Sequence, residues 1–328
     1  MHLWEQTMWK QLFVAPALLL SALCSANAAD YPARQITFVV PFAAGGPTDS
    51  IARVFAERMS AVLGQSIIVE DIAGAGGSLG LQRVVQAAPD GYTISVGNWS
   101  THVLNGAIYK LNYDLVSDFA PIVRLPENPQ VIDSRKDFPA SNLTDLIARL
   151  RDHQATAGTA GVGSAGHVSA LFLEKQTGVQ LTLVHYRGAG PAMADLVGGH
   201  IDVLFDQSST SLPQIRAGTI KAYAVTARKR LASAPNIPTV DEAGLKGFYI
   251  SVWNGLWAPK GTPEPVILKL NAAARQVLAD QALRDRLANL GMDIPSSEEM
   301  SPEALGRLQK AEIDKWWPIL KAAKITAK

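Results

Sequence analysis

The chain has 328 residues, enough for two domains of roughly 100–200 residues each. Its 30 Lys and Arg against 29 Asp and Glu leave a net charge of +1, without the basic excess that a nucleic-acid reader carries. Hydrophobic residues make up 48%, which excludes a disordered chain, and the single cysteine, Cys24, excludes a disulfide framework or a Cys-based zinc site.

The apolar run Leu12–Leu23 follows Lys10 and precedes Ala26-Asn27-Ala28, the order of a secretory signal. About a dozen apolar residues fall short of the ~20 that span a bilayer. A signal peptide over residues 1–28, cleaved after Ala28, is expected, with translation starting at Met1 or Met8, and with a soluble product in the periplasm. Beyond it, strand-like runs alternate with helical ones. Gln35–Val40 reads as a strand. Asp49–Leu63 places Ile51, Val54, Phe55, Met59 and Val62 on one helical face and stops at Gly64. Strands at Ser66–Glu70 and Tyr92–Gly97 flank a helix over about 77–87. The alternation continues through a helix at Leu143–Leu150, a strand before Gly161, a helix at Val168–Gln176 and a strand at Leu181–Tyr186. It ends with a helix at Ala192–Val197 and strands at Ile201–Phe205 and Ile220–Thr226. Such a pattern predicts an α/β fold with mostly parallel sheets. Two further helices are expected after Thr262-Pro263 and Ser301-Pro302.

Two glycine turns, one in each half, are the candidate chemistry. The first, Pro41–Asp49, contains Gly45-Gly46, which let the backbone turn through positive φ and aim N–H groups outward. The helix that follows adds the partial positive charge of its N-terminus, so an anion site needs no Lys or Arg here. Gly46 is expected to hold a positive φ, and Arg187, placed after a strand, reads as structural. The second turn, Thr159–His167, matches G-x-G-x-x-G at Gly161–Gly166 but has no acidic residue about 20 positions on, which argues against a dinucleotide site. Ser164 and His167 raise the alternative of an exported serine hydrolase, although Val162 stands where the nucleophile elbow G-x-S-x-G needs its first glycine. His102, His153, His167, His185 and His200 have no metal-ligand spacing. No metal and no cofactor are expected.

The ordered series PFAAGGPTDSIAR, Ala88-Pro89-Asp90-Gly91-Tyr92-Thr93, GVGSAGH, Tyr186-Arg187-Gly188-Ala189-Gly190-Pro191, Gly198–Asp206 and Trp257–Pro263 resembles the Bug family of extracytoplasmic solute-binding receptors, which serve tripartite tricarboxylate transporters. The resemblance covers essentially all of the chain after the leader. It implies a two-lobed type II periplasmic-binding-protein (Venus flytrap) fold. Lobe one would comprise residues 30–125 and 251–328, lobe two residues 126–250, with crossing strands near Pro121–Leu125 and Ser251–Pro259. It also implies that a small organic carboxylate lies between the lobes, for delivery by a monomer to membrane transporter subunits or a sensor protein. Carried over by position, the ligand-binding set is Phe42, Ala43, Gly45, Gly46, Thr48 and Asp49 in the first turn. Thr159, Ala160, Ser164, His167 and Asp206 oppose them, and Ser100, Thr101 and His102 border the cleft. Trp99 stands where the family often has a small residue; it packs, or it faces the ligand and narrows the site. Asp206 would hold a ligand ammonium or hydroxyl, or exclude a second nearby carboxylate.

Overall fold

The computed structural model describes residues 31–327, so the expected signal peptide over 1–28 lies outside the described residues. In chain order the first part comprises β1 (Ile36–Val40), α1 (Pro47–Leu63), β2 (Ile67–Asp71), α2 (Ser78–Val85), β3 (Thr93–Asn98), α3 (Asn105–Ile108) and the long strand β4 (Phe119–Arg135). Then come α4 (Leu143–Asp152), β5 (Ala155–Thr159), α5 (Ala165–Thr177), β6 (Leu181–His185), α6 (Ala189–Val197), β7 (Val203–Gln207), α7 (Ser208–Arg216) and β8 (Ile220–Val225). The chain closes with β9 (Ser251–Pro259), α8 (Glu264–Ala279), α9 (Gln281–Asn289) and α10 (Pro302–Ala322).

Two sheets share β4. In the first, ordered β2-β1-β3-β9-β4, β1 runs parallel to β2 and β3, whereas β9 runs antiparallel to β3 and β4. From Phe119 to Pro129, β4 pairs with β9. From Gln130 onward it lies antiparallel between β7 and β8, with β5 parallel to β7 and β6 beyond. The sheets are thus mixed rather than mostly parallel: all four antiparallel pairings involve β4 or β9, the strands that carry the chain between lobes. Sequence periodicity could not reveal this, because strands buried on both faces read alike in either direction.

The helices follow their sequence signals closely. Pro47 at the first helical position presets φ, Gly64 ends α1 in the left-handed region at φ 71°, and Ile51, Ala52, Phe55, Ala56 and Met59 bury one face. That face joins Phe38, Ile94, Leu256 and Leu270 in the lobe-one core. A second core runs from Trp99, Trp257 and Trp316 to Leu173, Phe205 and Phe248, joining α10 to the second lobe. Three helices are not expected from the sequence, and the first of them, α3, is a single four-residue turn. The α7 segment is serine-rich and contains Pro213, and α9 is mostly polar, so neither shows a clear apolar stripe. Among the described residues, no helix is long and apolar enough to cross a membrane.

Candidate functional site

The carboxyl ends of β1, β3, β5 and β7 point toward one another across the gap between the lobes, and a turn or helix start follows each. A small cavity of about 30 Å³ lies there. Lobe one contributes Phe42, Gly46, Pro47, Thr48, Asn98 and Ser100; lobe two contributes Ala160, Ser164–Gly166, Ala189 and Leu204–Gln207; Gln130 of β4 lies between. Among the described residues, no Lys, Arg or His side chain lines it. What faces it instead are the first turns of α1, α5 and α6, whose leading N–H groups have no partner within their own helices. A partial positive charge at each of these ends favours an anion.

Each turn is held by its own side chains. The Gly45 N–H donates to Asp49 Oδ2 at 2.8 Å, while Asp49 Oδ1 pairs with Arg53 at 2.6 Å. Asp49 therefore braces the turn rather than lining the cavity. The left-handed residue is Gly45, at φ 82°, and Gly46 is ordinary extended backbone at φ −85°, which corrects the assignment of positive φ to Gly46. Asn98 Nδ2 donates to Thr48 Oγ1 at 3.1 Å, and Asn98 Oδ1 accepts from the Ser100 N–H at 3.0 Å, tying α1 to the end of β3. In lobe two, Ser164 caps α5 by accepting from the His167 N–H at 3.3 Å.

The lobes touch around this cavity. The Ala43 N–H donates to the Arg187 carbonyl at 3.0 Å, and Tyr109 donates its hydroxyl to the Val162 carbonyl at 2.7 Å. Arg187 thus contributes through its backbone, and its guanidinium does not line the cavity.

Of the expected residues, Phe42, Gly46, Thr48, Ser100, Ala160, Ser164 and Asp206 come together on the cavity wall. Ala43, Gly45 and Asp49 shape the first turn from behind, and Thr159 and His185 hydrogen-bond at 2.7 Å beneath the second. The Trp99 ring turns away and packs edge-on against Trp316, with centroids 4.8 Å apart. His102 is wholly buried, stacked on Trp257 at 3.6 Å and bonded to Thr101 Oγ1 at 3.1 Å; burial pushes its pKa down to about 3. It is a neutral core histidine, and Thr101 is committed to the Asn98 backbone N–H. His167 Nδ1 accepts from the Gly163 N–H at 3.0 Å, and burial, followed by the neighbouring His185, lowers its pKa to about 4. With its imidazole turned to the backbone, it is no base for Ser164, and the hydrolase alternative lacks its second residue.

Asn98 and Gln130 line the cavity without having been singled out in the sequence, and Gln207, next to Asp206, lines it as well. Gln130 and Gln207 sit directly opposite each other on β4 and β7. Gln130 donates to the Phe205 carbonyl at 3.3 Å and accepts from Ser169. Asp206, 4% exposed, accepts from Thr210 at 2.5 Å and from the Gln207 N–H at 2.8 Å; burial outweighs these bonds and raises its pKa to about 6.

Residues 51–325 match the family model described as the tripartite tricarboxylate transporter family receptor. A curated relative from Agrobacterium vitis, a UPF0065 protein, is 40% identical over 89% of this chain and 85% of its own length. Two solved structures share the fold. MatC from Rhodopseudomonas palustris, with bound malate, is 40% identical with a TM-score of 0.84 over 88% of this chain and all of its own. The periplasmic binding protein BugD is 38% identical with a TM-score of 0.86 over 90% of this chain and all of its own. The chain belongs to the tripartite tricarboxylate transporter receptor family, a family of solute-binding receptors.

Proposed function

We propose that this protein captures a small organic dicarboxylate between its two lobes in the periplasm and, as a monomer, hands it to the membrane subunits of a tripartite transporter. One observation carries the reading: helix N-termini from both lobes converge on a cavity that, among the described residues, no cationic side chain lines. A carboxylate at Gly46–Thr48 would take backbone N–H groups of α1. A second at Ala165–Gly166 would take those of α5, so a diacid spans both lobes and favours their closed arrangement. Charge-assisted hydrogen bonds of this kind contribute about 1.5–3 kcal/mol each. The malate held by MatC, 40% identical, is a ligand of this class.

The test is a thermal-shift screen of four- to six-carbon diacids, tricarboxylates, amino acids and aromatic acids, with each acid assayed for consumption. At 100-fold over Kd, a bound diacid stabilises by about 2.7 kcal/mol, which raises Tm by several degrees. A diacid that raises Tm and is recovered intact is the expected result. No shift with any diacid, or turnover of one, would sink the proposal.

A further inference from the structure

The cavity wall in lobe two has a second layer. In the antiparallel pair of β4 and β7, Val131 lies opposite Asp206 and Asp133 opposite Leu204. Cross-strand partners share a face and alternate residues repeat it, so Asp133 and Asp206 are diagonal neighbours on one face. Both are buried, Asp133 fully and Asp206 to 4% exposure. The same helix caps both: Thr210 donates to Asp206 and Ser211 to Asp133, each at 2.5 Å. Asp133 Oδ1 has no partner. No basic side chain is bonded to either carboxyl among the described residues.

The charged groups on neighbouring elements are engaged elsewhere. On β4, Arg124 pairs with Glu127 and Glu299, and Arg135 with Asp137 and Asp202. On α5, His167 and Glu174 accept from the Gly163 and Leu181 N–H groups, and Lys175 is exposed. Asp195 of α6 bonds Tyr186 and His200, Arg216 of α7 donates to the Ser233 and Asn289 carbonyls, and Lys221 of β8 to the Phe138 carbonyl. Across the cleft, Asp49 of α1 is held by Arg53.

Two carboxylates on one dry face, with only hydroxyl and amide donors, resist holding two charges. Asp206 faces the cavity and Asp133 lies behind it. We propose that capture is proton-linked: a diacid whose second carboxylate enters beside Asp206 binds with uptake of one proton from solution onto the Asp206 carboxylate. A ligand presenting an ammonium or hydroxyl there binds with Asp206 ionised and takes up none. Burial already moves both carboxyls toward the neutral form, Asp133 the more strongly and with Asp206 adding to it. Asp206 is thereby a specificity-determining residue whose preference changes with pH, diacids being favoured as pH falls toward 6. The inference rests on reading the cavity as a carboxylate site.

Calorimetry of the full-length mature protein with malate and succinate, in buffers of different ionisation enthalpy at pH 7–8, tests it. In this range the free diacids are ionised, so buffer-dependent heat reports protons taken up by the protein. The expected result is uptake approaching one proton per succinate bound, and affinity that weakens up to about tenfold per pH unit as pH rises. Asp206→Asn should bind succinate without uptake and without this pH dependence. Succinate binding with heat independent of buffer in the wild type would overturn the inference and leave the proposed function standing. Failure of every diacid to bind would overturn both, and uptake that persists undiminished in Asp206→Asn would place the proton elsewhere.

Discussion

His102 illustrates how burial decides a residue's role. Stacked on Trp257 and edge-on to Phe119, it is neutral, and charging it would leave a buried cation without a partner. The folded state binds fewer protons than the unfolded chain below the ordinary imidazole pKa of about 6.5. Its contribution is therefore complete above that value and is lost as pH falls from about 6.5 toward 3. At pH 5 the loss is roughly 2 kcal/mol. Urea unfolding at pH 8 and pH 5 should show this loss in the wild type and a smaller one in His102→Gln. Equal losses in both would mean that His102 titrates freely. Asp206 has the opposite sign: its raised pKa gives the folded state the extra proton, so its contribution to stability falls as pH rises from about 4 through 6.

At the scale of elements, closure depends on backbone lying against backbone. A Cβ on Gly190, in the first turn of α6, would stand 2.5 Å from the Ala44 carbonyl and 3.1 Å from the Gly46 nitrogen, both across the cleft. Gly190 has no positive φ, so alanine suits its helix and clashes only with the other lobe. Gly190→Ala should leave the free protein's Tm nearly unchanged while penalising closure by roughly 1–3 kcal/mol. Calorimetry should then show diacid affinity weakened about five- to 150-fold. Unchanged affinity would mean that the bound lobes do not meet at these turns. Sequence marked both turns because glycines clustered between a strand and a helix are a local signal. It could not mark Gln130, which pairing with Gln207 brings to the cavity across 77 positions in the chain. Nor could it orient the segment after β3, where Ser100 faces the cavity while the neighbouring Trp99 and the nearby His102 turn inward. That distinction depends on the tight turn that Asn98 nucleates by accepting from the Ser100 and Thr101 N–H groups.

In the whole molecule, two α/β halves are joined by β4 and β9, and each half offers a helix N-terminus to a shared cavity. The alternation of strands and helices was legible in the sequence because apolar runs and glycine stops are local. The antiparallel crossing was not, since it is set by which lobe each end of a strand belongs to. A two-lobed receptor of this design should be more compact with ligand than in any open form. Small-angle scattering of Gly190→Ala without ligand should give a larger radius of gyration than the wild type saturated with diacid; equal radii would argue that the lobes do not open. The most direct measurement is a crystal structure with the diacid that gives the largest thermal shift. One carboxylate should lie about 2.7–3.1 Å from backbone N–H groups of the Gly46–Thr48 segment, with the other end at Ala165–Gly166 and no Lys or Arg in contact. A diacid held by a Lys or Arg side chain, or touching one lobe alone, would contradict the account.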